Sequence, residues 1–290
     1  MFYQRRNFLK RAGMLGAGLI AGNLLPGCKT AFASRKTWNN FGLQLYTLRD
    51  VLPADPKGII TQVASFGYKE IESYEGPQGM FWGMKNTGFR QLLDDLGMRV
   101  VASHCNVEKD FDRKVEEAAE IGIRYLICPW LGPQPKLDDY KAAAERFNRY
   151  GETCKKHGLR FAYHNHDYSF VPVEGQVPQD VLIQHTDKEL VDFEMDIYWV
   201  VTAGQDPLAW FEKYPDRFRL CHIKDRKKAA EASDKDASTT LGKGSIAFSS
   251  VLRSAASHGM KHFIVEQERY DDTTPLDAVK DNAAYLKNLV

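Results

Sequence analysis

The chain has almost no charge of one sign in excess: 39 Lys and Arg face 38 Asp and Glu, a formal charge of +1 over 290 residues. Such a field is too weak to steer a polyanion, which argues against nucleic acid or an anionic lipid surface as the partner. Cysteine is scarce as well. Cys28, Cys105, Cys128, Cys154 and Cys221 stand far apart and lack metal-finger spacing, so a disulfide scaffold is excluded and the last four thiols read as small buried hydrophobes. The uncharged stretch from Ala12 to Gly27 is too short and too rich in glycine for a spanning helix. No low-complexity linker divides the chain, and Leu48-Arg49-Asp50 stands where a doubly wound sheet would carry its glycine-rich phosphate turn. What is present, 43% hydrophobic, 27% charged and 12% aromatic residues, is the composition of a globular domain.

The positive charge is unevenly placed. Residues 1–28 hold Arg5, Arg6, Lys10 and Arg11 and no acid, and the remainder carries 35 basic against 38 acidic residues, a net charge of −3. Arg5-Arg6-Asn7-Phe8-Leu9-Lys10 followed by the uncharged stretch resembles a twin-arginine export signal over residues 1–33. Two processing sites compete: Leu25-Pro26-Gly27-Cys28 resembles a lipobox that would acylate Cys28, whereas Ala31-Phe32-Ala33 fits cleavage before Ser34. Lipidation is favoured because Cys28 directly follows the apolar run. The signal implies an exported, periplasmic protein that touches the membrane only through such an anchor. Because twin-arginine substrates generally fold before export, often around a loaded cofactor, it also raises the prospect of a metal site.

From Phe41 onward β-rich runs alternate with amphipathic stretches. Strands are predicted at Phe41–Thr47, Tyr68–Ser73, Arg99–His104, Tyr125–Pro129, Arg160–His166, Leu190–Asp196, Phe218–Lys224 and His262–Glu268. Helices are predicted at Asp55–Phe66, Phe89–Leu96, Asp112–Ile121, Asp138–His157, Ile246–His258 and Thr274–Leu289, and Gly67, Gly97, Gly122, Gly158 and Gly259 stand where αL caps are wanted. Strict βα alternation implies a parallel sheet with helical crossovers, and eight units over residues 38–290 is the count of a single α/β domain, a (β/α)8 barrel.

In such a barrel the side chains at the C-terminal strand ends build the active site. Alternation in the sixth strand turns Val191, Phe193, Met195 and Ile197 to the helices and Asp192, Glu194 and Asp196 inward. The fifth strand sends in His164 and His166, the seventh His222 and Lys224, and the eighth Glu266 and Glu268. Inward carboxylates need a partner, and four adjacent strands that offer His, Asp, His and Glu at one mouth form a ligand set for a divalent cation with mixed N/O preference: Mn, Co, Fe, Zn or Mg. Glu72 and His104 also point to the mouth, Gln44 is placed to bond substrate hydroxyls, and Trp199 and Trp130 could stack on a sugar face. The 36 residues from Lys227 to His262, with Gly242-Lys243-Gly244 inside, are long enough to hold a loop over the mouth.

Tyr163-His164-Asn165-His166-Asp167, Phe193-Glu194-Met195-Asp196-Ile197-Tyr198-Trp199, His222-Ile223-Lys224-Asp225 and Ile264-Val265-Glu266-Gln267-Glu268 together resemble the sugar phosphate isomerase/epimerase family. These are xylose isomerase-like TIM barrels, a superfamily that includes the family 2 AP endonucleases. The resemblance implies one divalent metal held by Asp196, His222 and Glu266, with His164 as fourth ligand and His166 as second choice. It also marks a departure, since relatives often carry Glu at the positions of His164 and Ser169. Family epimerases move the proton α to a carbonyl between two Glu through an enediolate; candidate bases here are Glu266, Glu268, His166 and Lys224, the last also a candidate to stabilise an enolate or to pair with Asp196 or Glu194. The implied activity is an exported, metal-dependent sugar isomerase or epimerase. The alternatives are a lyase or hydratase on 3-keto-glycosides or other oxidised sugars and a non-catalytic sugar-binding protein.

Overall fold

The computed structural model describes residues 38, 40–231 and 233–289; the segment read as an export signal, with Cys28 and the Ala33 site, lies outside the described residues. Eight parallel strands close into a barrel: β1 (Gly42–Gln44), β2 (Glu70–Tyr74), β3 (Arg99–His104), β4 (Tyr125–Cys128), β5 (Arg160–His164), β6 (Val191–Asp196), β7 (Phe218–Ile223) and β8 (His262–Val265). Each strand pairs with its sequence neighbours, and β1 pairs with β8, Gly42 opposite Ile264, to close the ring. Helices α1 (Pro56–Ser65), α2 (Asn86–Asp95), α3 (Phe111–Glu120), α4 (Leu137–Lys156), α5 (Pro178–His185), α6 (Ile197–Thr202), α7 (Pro207–Lys213), α8 (Phe248–Ser257) and α9 (Pro275–Asn288) fill the connections. The five glycines read as helix ends all have φ between 67° and 98°.

Several strands stop earlier than their sequence pattern suggests. β1 ends at Gln44, whose side chain accepts from the Tyr46 N–H and starts a 3₁₀ turn over Leu45–Leu48. β5 ends at His164, β7 at Ile223 and β8 at Val265, so His166, Lys224, Glu266 and Glu268 stand on the loops that leave the barrel. β6 ends at Asp196, which caps α6; Ile197 is therefore the first residue of a buried helix instead of the last outward residue of a strand.

Apolar side chains plug the bore: Val101, Ala102, Tyr125, Ile127, Ala162, Leu220 and Ile264 form a cluster separate from the outer strand–helix core. Gly42 makes room for it, since a Cβ there would stand 2.6 Å from Ile264 Cδ1. The four described cysteines are buried and free. No described helix is long and apolar enough to cross a membrane.

The segment after β7 is tied to the loops at the C-terminal end of the barrel: Lys235 Nζ lies 2.8 Å from Asp167 Oδ2, and the Tyr198 hydroxyl donates to the Lys235 carbonyl at 2.8 Å. Asp225–Arg226 pairs antiparallel with Ser238–Thr239, and the Asp225 carboxylate accepts the backbone N–H groups of Arg226, Gly242, Gly244 and Ile246 at 2.9–3.2 Å. Ser238 Oγ accepts the N–H groups of Glu268 and Arg269, tying the segment beside β8.

Candidate active site

Above the apolar plug lies a layer of buried ionisable groups. Glu72 from β2, His104 from β3, His164 from β5, Glu194 from β6 and His222 from β7 meet on the barrel axis. Glu194 Oε2 stands 2.7 Å from His104 Nε2 and 3.1 Å from His164 Nδ1; Glu72 Oε1 stands 2.6 Å from His222 Nε2 and 3.2 Å from His104 Nε2. Burial and the charge of Glu72 push the Glu194 carboxyl up to about 8. Burial also raises Glu72, but the His104 and His222 imidazoles bring it down to about 2.

The second layer faces the mouth. Asp196 Oδ1 accepts the Trp199 N–H as a helix cap, whereas its Oδ2 is buried and has no hydrogen-bond partner. That oxygen lies 3.8 Å from His164 Nε2, 3.8 Å from His222 Nδ1 and 3.6 Å from Lys224 Nζ. Glu266 Oε2 lies 3.1 Å from His222 Nδ1. Both histidines thus turn one nitrogen to an inner carboxylate and the other toward Asp196. An orphaned carboxylate oxygen in a buried site costs about 1–3 kcal/mol, and a ring of imidazole nitrogens and carboxylate oxygens around it suits a divalent cation. Within the cluster, Asp196, His222 and Glu266 form one set with ligand atoms inside 4.8 Å of one another, and His104, His164, Glu194 and His222 form another. The donor set fits the metal that the sequence suggests.

Lys224 is enclosed. Its ammonium contacts Glu268, Glu266 at 3.2 Å and Asp196 at 3.6 Å, and lies 5.0 Å and 5.2 Å from the ring centres of Tyr198 and Trp199. Burial works against its charge, but Glu266, Glu268 and Asp196 raise its pKa well above the usual lysine range. Burial likewise raises Glu266, and Lys224 with His222 holds it below the ordinary carboxylate range. Burial pushes Asp196 up to about 6 against the pull of the same two cations. Of the two partners suggested for Lys224, the structure supplies Asp196; Glu194 instead joins the histidines one layer down.

A cavity of about 580 Å³ opens onto this centre, with His104, His164, His166, Trp199, Glu266 and Glu268 on its deep and C-terminal sides. His166 is packed among Trp130, Tyr168 and Trp199, with ring centres 4.6, 5.7 and 5.3 Å away. Burial and the Lys224 charge push it down to about 3, so it is neutral, and its Nδ1 has no partner. Two residues read as facing substrate lie deeper. Gln44 is wholly buried and donates from Nε2 to Glu72 Oε1 at 2.6 Å, and Glu72 itself is wholly buried against His222. Glu72 points inward as its register suggests but at a greater depth, and Gln44 bonds Glu72 in place of a substrate hydroxyl. Ser169, where the resemblance leads one to expect Glu, is buried with its Oγ 3.0 Å from the Tyr163 hydroxyl.

Glu194, which the sequence marks as inward and as one partner for Lys224, stands instead at the centre of the inner layer. Its sequence signal is the inward row Asp192, Glu194, Asp196. Of these, Asp192 pairs with Arg160, with an Nη2 to Oδ1 distance of 2.9 Å, Glu194 meets three histidines, and Asp196 reaches the mouth.

A closed eight-stranded parallel barrel with His, Asp and Glu side chains gathered at the C-terminal ends of adjacent strands defines a class of site, and the chain belongs to the xylose isomerase-like TIM barrel family, whose model matches residues 60–289. An inosose dehydratase of Clostridium perfringens is 27% identical over 164 residues, 52% of this chain and 54% of that protein. This chain spans about half the length of the curated relatives it matches. A sugar phosphate isomerase/epimerase of Parabacteroides distasonis is similar in structure, with a TM-score of 0.75 and 29% identity over 89% of this chain and 97% of that one. A xylose isomerase-like TIM barrel protein of Mycobacterium smegmatis in complex with magnesium shares the fold, with a TM-score of 0.64 at 14% identity over 87% of this chain and 96% of that one.

Proposed function

We propose that the protein is a divalent-metal-dependent lyase that removes the proton α to the carbonyl of an oxidised sugar or cyclic polyol and expels the oxygen on the β carbon. The observation that carries the reading is the orphaned Asp196 Oδ2 at the centre of His164, His222 and Lys224, directly beneath the cavity. His164, Asp196, His222 and Glu266 would hold the metal. When bound, it supplies Lewis-acid polarisation of a carbonyl.

The remaining roles fall to side chains of this chain. Lys224 keeps Glu266 ionised and holds the Glu268 carboxylate in place. Glu268, which lines the cavity, is the base that takes the α proton. As the C–H bond breaks, its electron pair passes to the carbonyl as an enolate; its return forms the α–β double bond and breaks the β C–O bond. The Glu268 carboxyl returns that proton to the leaving oxygen, which departs as water or an alcohol, and His166, neutral and on the β5 side of the cavity, donates a hydrogen bond to the same oxygen. Dehydratases among the relatives support elimination, as does His164, which replaces one carboxylate of the two-Glu epimerase pattern. The isomerase or epimerase of the second reading uses the same proton abstraction and draws support from the Parabacteroides structure. Export through the N-terminal signal, with lipidation at Cys28, completes the proposal; a mature chain starting unmodified at Ser34 would overturn the lipidation.

The test is incubation of the metal-loaded protein with inososes, 3-keto-glycosides and ketoses in deuterated buffer, followed by NMR. Elimination product is expected. Deuterium at the α carbon without elimination moves the assignment to isomerase, and no change in any substrate leaves a sugar-binding protein. Glu266→Gln is expected to abolish turnover and reduce bound metal; a wild-type rate would overturn the site.

A further inference from the structure

The chemistry proposed above draws on β5 to β8, yet the cavity continues over the ends of β1 to β4, where Tyr46, Tyr74, Asn106, Lys109 and Trp130 line it without a part in that chemistry. We propose that this half of the mouth is a subsite for a second sugar ring, so that the substrate is a glycoside whose reacting ring lies at the metal side; the assignment of sides rests on the proposed function.

Three large hydrophobic residues are exposed among the described residues, and two of them, Trp130 at 59% and Tyr46 at 39%, stand on this rim. An aromatic face left in water at the edge of a polar cavity is the element that stacks on the C–H face of a pyranose. Trp130 is also held in place. Its ring lies nearly perpendicular to His166 and Tyr168, at 79° and 76°, and the backbone that follows is pinned by the Tyr168 hydroxyl, which accepts the N–H groups of Leu131 at 3.2 Å and Gly132 at 3.0 Å. On the opposite edge Tyr46 packs against Tyr74 at 5.2 Å and carries the Arg49 guanidinium 4.7 Å from its ring centre, with Arg49 bonded in turn to the Glu268 carbonyl at 2.9 Å. Platforms fixed before the ligand arrives bind at a lower ordering cost. Between them, Asn106 and Lys109 are exposed, and Lys109 has no ion pair or hydrogen bond among the described residues. An amide and an ammonium beside stacking rings match the hydroxyl-rich edge of a sugar.

The subsite is tested by calorimetry on the metal-loaded full chain with unoxidised sugars, which reads binding whether or not a reaction occurs. The wild-type protein is expected to bind a β-linked glucose disaccharide about tenfold more tightly than glucose, the equivalent of one good stacking contact. Trp130→Ala should remove most of that advantage while changing glucose affinity less than threefold; Tyr46→Ala, at the opposite edge, should reduce it partly. Equal affinities for the two sugars, binding of neither, or a disaccharide advantage that survives both substitutions overturns the subsite. Tight disaccharide binding without turnover of any oxidised sugar would leave the subsite standing and overturn the proposed reaction instead.

Discussion

A histidine can ligate a metal well only if its other nitrogen is held, because the second hydrogen bond fixes the tautomer and the ring plane. His222 meets that condition through Glu72, 2.6 Å from Nε2, and Glu72 is held in turn by Gln44 at 2.6 Å. This chain leaves Nδ1 facing Asp196 and Glu266. Glu72→Gln keeps the shape but replaces an acceptor carboxylate with an amide, so metal affinity measured by competition with a chelator is expected to fall by about 10–100-fold. An unchanged affinity would mean that Glu72 only fills space. Residue type and inward parity were legible here: Glu72, His104, His164, His222 and Glu266 could all be read as pointing into the barrel. Their depth was not. One residue along a strand flips the face, but the layer reached depends on how each strand is sheared against its neighbours.

The same limit governs whole elements. Pairing of β6 with β7 shifts register between Phe193 and Glu194, so that Phe193 stands opposite Phe218 and Glu194 opposite Leu220. The shift brings Asp196 opposite His222, and no local pattern announces it. α4 shows a second case. Gly151 lies in a helix of 20 residues, where Ala would normally be more stable by about 1 kcal/mol. Here a Cβ would stand 2.7 Å from the Leu190 carbonyl oxygen, at the entry to β6, and backbone cannot swing aside. Gly151→Ala is therefore expected to destabilise by about 1–3 kcal/mol in urea unfolding; stabilisation would show that helix and strand can separate freely. The α6 helix was hidden for another reason: Ile197-Tyr198-Trp199-Val200-Val201 has strand-like composition, and it turns helical because Asp196 caps it and the barrel wall ends there.

At the scale of the molecule, the bore is a stack of an apolar plug, a buried His–Glu layer and an open mouth. Burying Glu72, Glu194, Asp196 and Glu266 together opposes folding unless their charge is met, so a cation that binds only the native barrel should stabilise it. At a concentration about 100-fold above its Kd the gain is about 2.7 kcal/mol, or about 5–10 °C in Tm for a domain of this size. Calorimetric scans with metal and with chelator should differ by that amount, and the difference should shrink in Glu266→Gln. Identical scans would sink the metal reading.

Sequence by itself determined the alternation of eight strands with helices, the glycines that end those helices, the faces that enter the bore, and the chemical kinds of the groups sent there. These follow from periodicities of two and of 3.6 residues, which are local. Tertiary structure alone decided which inward groups share a layer, that Gln44 and Glu72 support a histidine instead of meeting the mouth, that Lys224 is enclosed by carboxylates, and that Trp130 and Tyr46 line one cavity. Those relations join residues as far apart in the chain as Glu72 and His222, 150 positions. They are set by barrel closure and shear, which no single segment encodes.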